Sequence, residues 1–298
     1  MADTNRTSEL GVAARPERTS GPWSEGCDPN GGDRSNVSAV TRNEFDSLPE
    51  LLAEVAKRKH DAALAHRSGK SNATEAPRAV YLESCQQIAD ALIVDGFKYA
   101  KSKQTLSRAR AGFTNHIAFQ SSHNNVAGAY VLLWMFAQVR SPQLKEWRSQ
   151  QPFPLRKDDF LAGGMVHLLE AKATLLEWQL ASPAERPETI TDALGFIRSV
   201  VIPYFTQFQD SQALLHRLTG DQVLAFSIGD MVEFALCFGS RTQAQSILSR
   251  FVAQRPDLAD SIKRSVERFG KEGFPEYSVS GYAEVVAWLH LVHRLPLA

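Results

Sequence analysis

The sequence predicts an α+β fold: a central antiparallel sheet flanked by N-terminal helices and a C-terminal helical region, preceded by a disordered arm. Three observations carry this. Residues 113–136 hold a two-residue apolar alternation followed by a segment apolar on both faces. From residue 182 onward the apolar period is helical, while residues 1–43 show neither period and are rich in Ser, Thr, Gly, Asn and Pro. Strands gathered in the middle and helices gathered at the ends argue against a repeating βαβ fold. The predicted divisions are an arm over 1–43, helices plus sheet over 44–181, and a helical region over 182–298 packed on that sheet as one unit.

Order is expected to begin near Ser47, where Ser47-Leu48-Pro49-Glu50 supplies an N-cap hydroxyl, a first-turn proline and a capping-box glutamate. That helix runs to about 67, and 68–72 reads as a linker. A second helix over 79–95 carries the stripe Tyr81, Cys85, Ile88 and Leu92, with Gly96 as a left-handed stop and Phe97 folding back on the last turn. Residues 98–108 read as an edge strand. Phe113, Ile117 and Phe119 alternate with polar residues as a half-buried strand, and 130–136 reads as a central one. Segments 164–169 and 174–180 extend the sheet, although 168–178 fits a helix as well. Beyond 182, Thr189 reads as a cap, Pro203 as a kink or restart, and Asp210 and Asp221 as two further N-caps. A helical hairpin turns at Gly239-Ser240, and a last helix spans 282–293.

Lys+Arg 33 and Asp+Glu 33 give a formal net charge of zero, but the zero is a cancellation. Residues 96–145 contain Lys98, Lys101, Lys103, Arg108, Arg110, Arg140 and Lys145 and no carboxylate. The five between 98 and 110 are the candidate partner-binding residues: Lys98, Lys101, Lys103, Arg108 and Arg110. Basic side chains on an edge strand also discourage edge-to-edge pairing, so the charge has a bland reading beside the functional one.

Catalytic signatures are sparse. Gly69-Lys70-Ser71 imitates the end of a phosphate loop without the earlier glycine or the preceding strand, and reads as a linker. His290 and His293, three apart, lack a third metal ligand, and neither a metal nor a cofactor is expected. His167 and Glu170 with Asp158 and Asp159 are the densest acid/base group. Cys85 and Cys237 fall on apolar stripes and read as packed thiols. Three scattered cysteines, no apolar leader and no apolar run beyond the nine residues 129–137 point to a cytoplasmic protein without a membrane span.

The segments Leu92-Ile93-Val94-Asp95-Gly96-Phe97-Lys98, Asn115-His116-Ile117-Ala118-Phe119-Gln120-Ser121-Ser122 and Val201-Ile202-Pro203-Tyr204-Phe205 resemble an uncharacterised bacterial α+β family over about residues 80–255. Such domains are similar to ones encoded in toxin and immunity neighbourhoods. The resemblance implies a non-enzymatic role, and no catalytic residue carries over. The expected function is therefore binding of a protein with an acidic surface, as an immunity protein neutralising a cognate toxin. One alternative is nucleic-acid binding through the 98–110 segment, with Phe97, Tyr99 and Phe113 stacking on bases. The other is an enzyme centred on His167 and Glu170.

Overall fold

The computed structural model describes residues 75–298 except 171–175, 221–224, 275–278, 280 and 298, together with the helical, exposed Lys57, His60 and Leu64. The expected arm, the 68–72 linker with its Gly-Lys-Ser, most of the 47–67 helix and the Asp221 cap lie outside the described residues. The chain divides into Met1–Asn43 and Glu44–Ala298, so the sheet and all described helices belong to one unit.

Helix α1 (Pro77–Ala91) opens on a proline at its first position and buries Tyr81, Cys85, Ile88 and their neighbours at helical spacing. It stops four residues before the end expected at residue 95. A turn over 92–96 follows, closed by the Phe97 N–H donating to the Leu92 carbonyl at 3.3 Å. Gly96 sits at φ 84°, the left-handed geometry the sequence predicts for it, and Phe97 is buried.

Strands β1 (Lys98–Ala100), β2 (Thr105–Arg110), β3 (Phe113–Ser121), β4 (Leu132–Arg140) and β5 (Phe160–Met165) pair antiparallel in that order, and β6 (Trp178–Gln179) pairs with β4. The single edge strand expected over 98–108 is thus two strands. A 3-10 turn over Lys101–Lys103 and a left-handed Gln104 at φ 45° reverse the chain, with the Gln104 side-chain amide donating to the Lys101 carbonyl at 2.8 Å. Of the doubtful segments, 164–169 divides between the end of β5 and a 3-10 turn over Val166–Leu169, and Trp178–Gln179 is strand.

Alternation along the strands gives the sheet one face for the core. Leu106, Ile117, Phe119, Met135, Ala137 and Val139 are buried there, and burial of each large side chain favours folding by about 1.5–3 kcal/mol. Gly163 lets β5 lie against β4. A Cβ there would sit 2.1 Å from the Ala137 carbonyl oxygen, and its φ is +128°.

Helix α2 (Pro142–Ser149), absent from the sequence reading, is announced by Ser141-Pro142. Ser141 accepts from the Leu144 N–H at 3.1 Å and proline takes the first helical position. The C-terminal helices are α3 (Arg186–Phe196), α4 (Ile202–Thr206), α5 (Ser211–Gly220), α6 (Ile228–Phe238), α7 (Arg241–Gln254), α8 (Ala259–Glu272) and α9 (Tyr282–His293). Thr189 does not cap. It lies inside α3, its hydroxyl bonding back to the Glu185 carbonyl, because Pro187 starts the helix earlier. Before Pro203 the backbone widens into a π-helical turn over Ile197–Val201, which accommodates the donor that proline lacks. Asp210 caps α5 by accepting from the Gln212 and Ala213 N–H groups.

Ser240 and Gln243 form a reciprocal capping box at the start of α7. Ser240→Ala is expected to lower stability by about 1 kcal/mol, read as a fall in the urea midpoint at unchanged slope. Apolar side chains of α1, the sheet and the C-terminal helices share one continuous core.

Candidate interaction surface

The basic residues separate once folded. Lys98, Lys101 and Lys103 lie exposed along β1 and its 3-10 turn, and Arg110 is exposed at the end of β2. Arg108 does not join them. Second-strand placement turns it inward, where its guanidinium lies 4.6 Å from the Phe97 ring centre and Nη1 donates to the Asp95 carbonyl at 3.0 Å. Burial lowers its pKa, and Nε and Nη2 have no hydrogen-bond partner. Arg108 is therefore a clamp on the 92–96 turn, not a contact residue.

That turn presents the feature that sequence reasoning missed. Ile93 is 60% exposed and Val94 85%, among the few large aliphatic side chains left in water. In the sequence they fall within the helix expected over 79–95, off its apolar stripe. Because the helix ends at Ala91, they project from the turn instead. Their backbone is fixed from two sides: Arg108 holds the Asp95 carbonyl, while Arg198 reaches the Asp95 carboxylate at 3.2 Å and the Ala91 carbonyl at 2.9 Å. The β1–β2 register, Lys98 opposite Ser107, places Lys98 and Arg110 at the same end of the sheet as this tip, with Lys101 and Lys103 at the other end of β1. The result is an aliphatic knob, held at its base by Arg108 and Arg198, beside a basic edge.

The stacking surfaces required for the nucleic-acid alternative are not available. Phe97 and Phe113 are buried, and Tyr99 packs on Phe119 with ring centres 6.2 Å apart. The residues of the enzyme alternative are also dispersed. Asp158 and Asp159 precede β5, and His167 and Glu170 follow it, so a six-residue strand of about 20 Å stands between them. Asp159 is held by Arg140 at 2.8 Å. Among the described residues Cys85 and Cys237 form no disulfide, and burial pushes their thiols up to about 12 and about 11. His290 Nδ1 faces the Leu295 carbonyl at 2.7 Å, and His293 is buried between Trp147 and Trp288. Among the described residues no group of three or more His, Cys, Asp or Glu side chains is placed to hold a metal ion, and no helix is long and apolar enough to cross a membrane.

A second site of charge lies inside the protein. Arg148 on α2 is fully buried. Its Nε donates to Glu233 Oε2 at 2.7 Å, Nη2 to Asp230 Oδ1 at 2.7 Å, and Nη1 to the Phe160 and Asp158 carbonyls at 2.6 and 3.1 Å. One guanidinium thus joins α2, the start of β5 and the first turns of α6. Burial raises the pKa of both carboxyls against the pull of Arg148, Glu233 to about 7. The sequence did carry a signal for it: Asp230 and Glu233 stand three apart in an otherwise apolar helix, and buried carboxylates require a buried cation.

Comparison with protein-family models, curated proteins and solved structures gives no match to this chain.

Proposed function

We propose that this is a non-enzymatic binding protein for an acidic protein partner, of the immunity type, which neutralises a cognate toxin by covering its surface. The observation that supports it is the Ile93–Val94 knob beside Lys98, Lys101, Lys103 and Arg110. Protein interfaces place an apolar anchor at the centre and charge at the rim, where the charge steers encounter and selects the partner. A polyanion backbone would use the lysines but leave the aliphatic knob without a role, which favours a protein over a nucleic acid. Three scattered cysteines with no disulfide framework in their spacing suit a cytoplasmic location, which is part of this proposal.

The test is a photo-crosslinking amino acid at position 94 in the native host. A discrete crosslinked protein with an acidic surface is expected. With that partner purified, Lys98→Glu/Lys101→Glu/Lys103→Glu should slow association by about tenfold or more and flatten its salt dependence, whereas Val94→Asp should mainly speed dissociation. Unchanged association after triple charge reversal would remove the edge from the interface. Steep, salt-dependent binding of single-stranded RNA or DNA in place of a crosslinked protein would establish the nucleic-acid reading.

A further inference from the structure

Away from the basic edge, residues 152–158 bridge over the first turn of α6 and leave a cleft of about 790 Å³. This is within the roughly 300–1,000 Å³ range of small-molecule sites. The apolar part of its lining is Phe153, Leu155, Phe274, Val279, Val285 and Trp288, with two prolines. Phe153 is 51% exposed and faces Phe274 with ring centres 5.0 Å apart, so an aromatic wall stands open to solvent.

The polar lining has both signs. Asp158 and Asp230 supply carboxylates, Arg156 and Lys157 supply cations, and Ser227 adds a hydroxyl. Two arginines of this region differ in commitment. The hydrogen bonds of Arg148 to Glu233, Asp230 and the Phe160 and Asp158 carbonyls run from 2.6 to 3.1 Å, as expected of a saturated structural group. Arg156 lies 3.3 Å from Asp158 and 3.7 Å from Asp230 Oδ2, rests 4.3 Å over the Phe160 ring and is 37% exposed. None of its ion pairs reaches the 2.7–2.9 Å of a strong charge-assisted bond.

Asp230 is divided in the same way. Oδ1 is tied to Arg148, while Oδ2 accepts from the Ser227 hydroxyl at 2.6 Å and, among the described residues, has the long approach of Arg156 besides. Both partners of Oδ2 line the cleft, which places that oxygen on the cleft side. The charged lining is balanced, Asp158 and Asp230 against Arg156 and Lys157, but its ion pairs are long. A zwitterion matches such a lining: its ammonium can sit beside the carboxylates while its carboxylate receives Arg156 and Lys157.

We propose that this cleft binds a free α-amino acid with a bulky apolar side chain: ammonium towards Asp230 Oδ2 and Asp158, carboxylate towards Arg156 and Lys157, side chain against Phe153 and Phe274. The basic edge takes no part, so the proposal stands apart from the partner reading. Titration of the purified full chain with L-phenylalanine by calorimetry and thermal shift tests it, with phenethylamine and 3-phenylpropionate lacking the carboxylate and the ammonium respectively. Saturable 1:1 binding is expected, weakened about tenfold or more in each truncated analogue, because each leaves desolvated charges without a partner. Phe153→Ala alters an exposed side chain, and Arg156→Gln a half-buried one whose ion pairs are long. Each should weaken binding by about tenfold while leaving the unliganded melting temperature within a few degrees. No saturable binding of L-phenylalanine, L-leucine or L-tryptophan overturns the proposal, as does equal binding of the analogues or unchanged binding by both variants.

Discussion

Arg148→Met is expected to destabilise the protein by about 3–5 kcal/mol, the range for removing one partner of a buried ion pair. Methionine fills most of the volume, so the loss is electrostatic. Asp230 and Glu233 remain buried without their cation, and the Phe160 and Asp158 carbonyls lose their donor. The contrasting expectation concerns the triple variant Arg148→Met/Asp230→Leu/Glu233→Leu, which removes all three charges. It should recover most of the loss, because a well-packed apolar replacement avoids the desolvation that the ion cluster incurs. Urea unfolding of wild type and the two variants checks both statements. A single variant within about 1 kcal/mol of wild type would show that the cluster is hydrated in solution. If the triple variant is as unstable as the single one, the geometry of the three-way junction matters more than its charge.

Why this cluster escaped the sequence while other features did not is a matter of range. Gly96 was legible because a left-handed stop is a local property of one residue following a helical stripe, and the bounds of α9 follow from a local apolar period. The Arg148 junction joins residues 82 and 85 positions apart, and nothing near Arg148 on α2 reports its burial. The split of β1 from β2 was hidden for a different reason. Lys101-Ser102-Lys103-Gln104 contains no Gly, Pro, Asn or Asp, and the reversal depends on a left-handed glutamine supported by its own side chain. That one turn decides the candidate surface: it moves Arg108 to an inner strand, where it clamps the 92–96 turn. The early stop of α1 places Ile93 and Val94, which fall inside the helix expected over 79–95, on an exposed turn. The charge bias over 96–145 therefore located the right region, but the local chain reversals decided which of its residues face a partner.

The same buried groups set opposite slopes of stability against pH. Glu233, pushed by burial to about 7 from an ordinary 4.5, binds a proton more tightly folded than unfolded. Its contribution is fully present below about 4.5 and is lost as pH rises through about 7. Asp230, also raised by burial, acts in the same direction. His293 does the reverse. Burial between Trp147 and Trp288, helped by Arg241, lowers it from 6.5 to about 4, so the unfolded chain takes up its proton first and stability falls as pH drops from about 6.5 towards 4. A single group contributes at most ~1.4 kcal/mol per pH unit. Between about 4.5 and 6.5 the two slopes oppose each other, and wild type should show a shallow profile there. His293→Phe keeps an aromatic ring between the tryptophans and removes one titration, so its stability should fall steadily as pH rises from about 4.5 to 7. Glu233→Gln removes the other and should give a profile that rises with pH more steeply than wild type from about 4 to 6.5. Urea midpoints at half-unit steps from pH 4 to 8 measure all three. Parallel profiles would mean that neither group's pKa changes on folding, and two variants departing from wild type in the same direction would reverse the assignment of one of them.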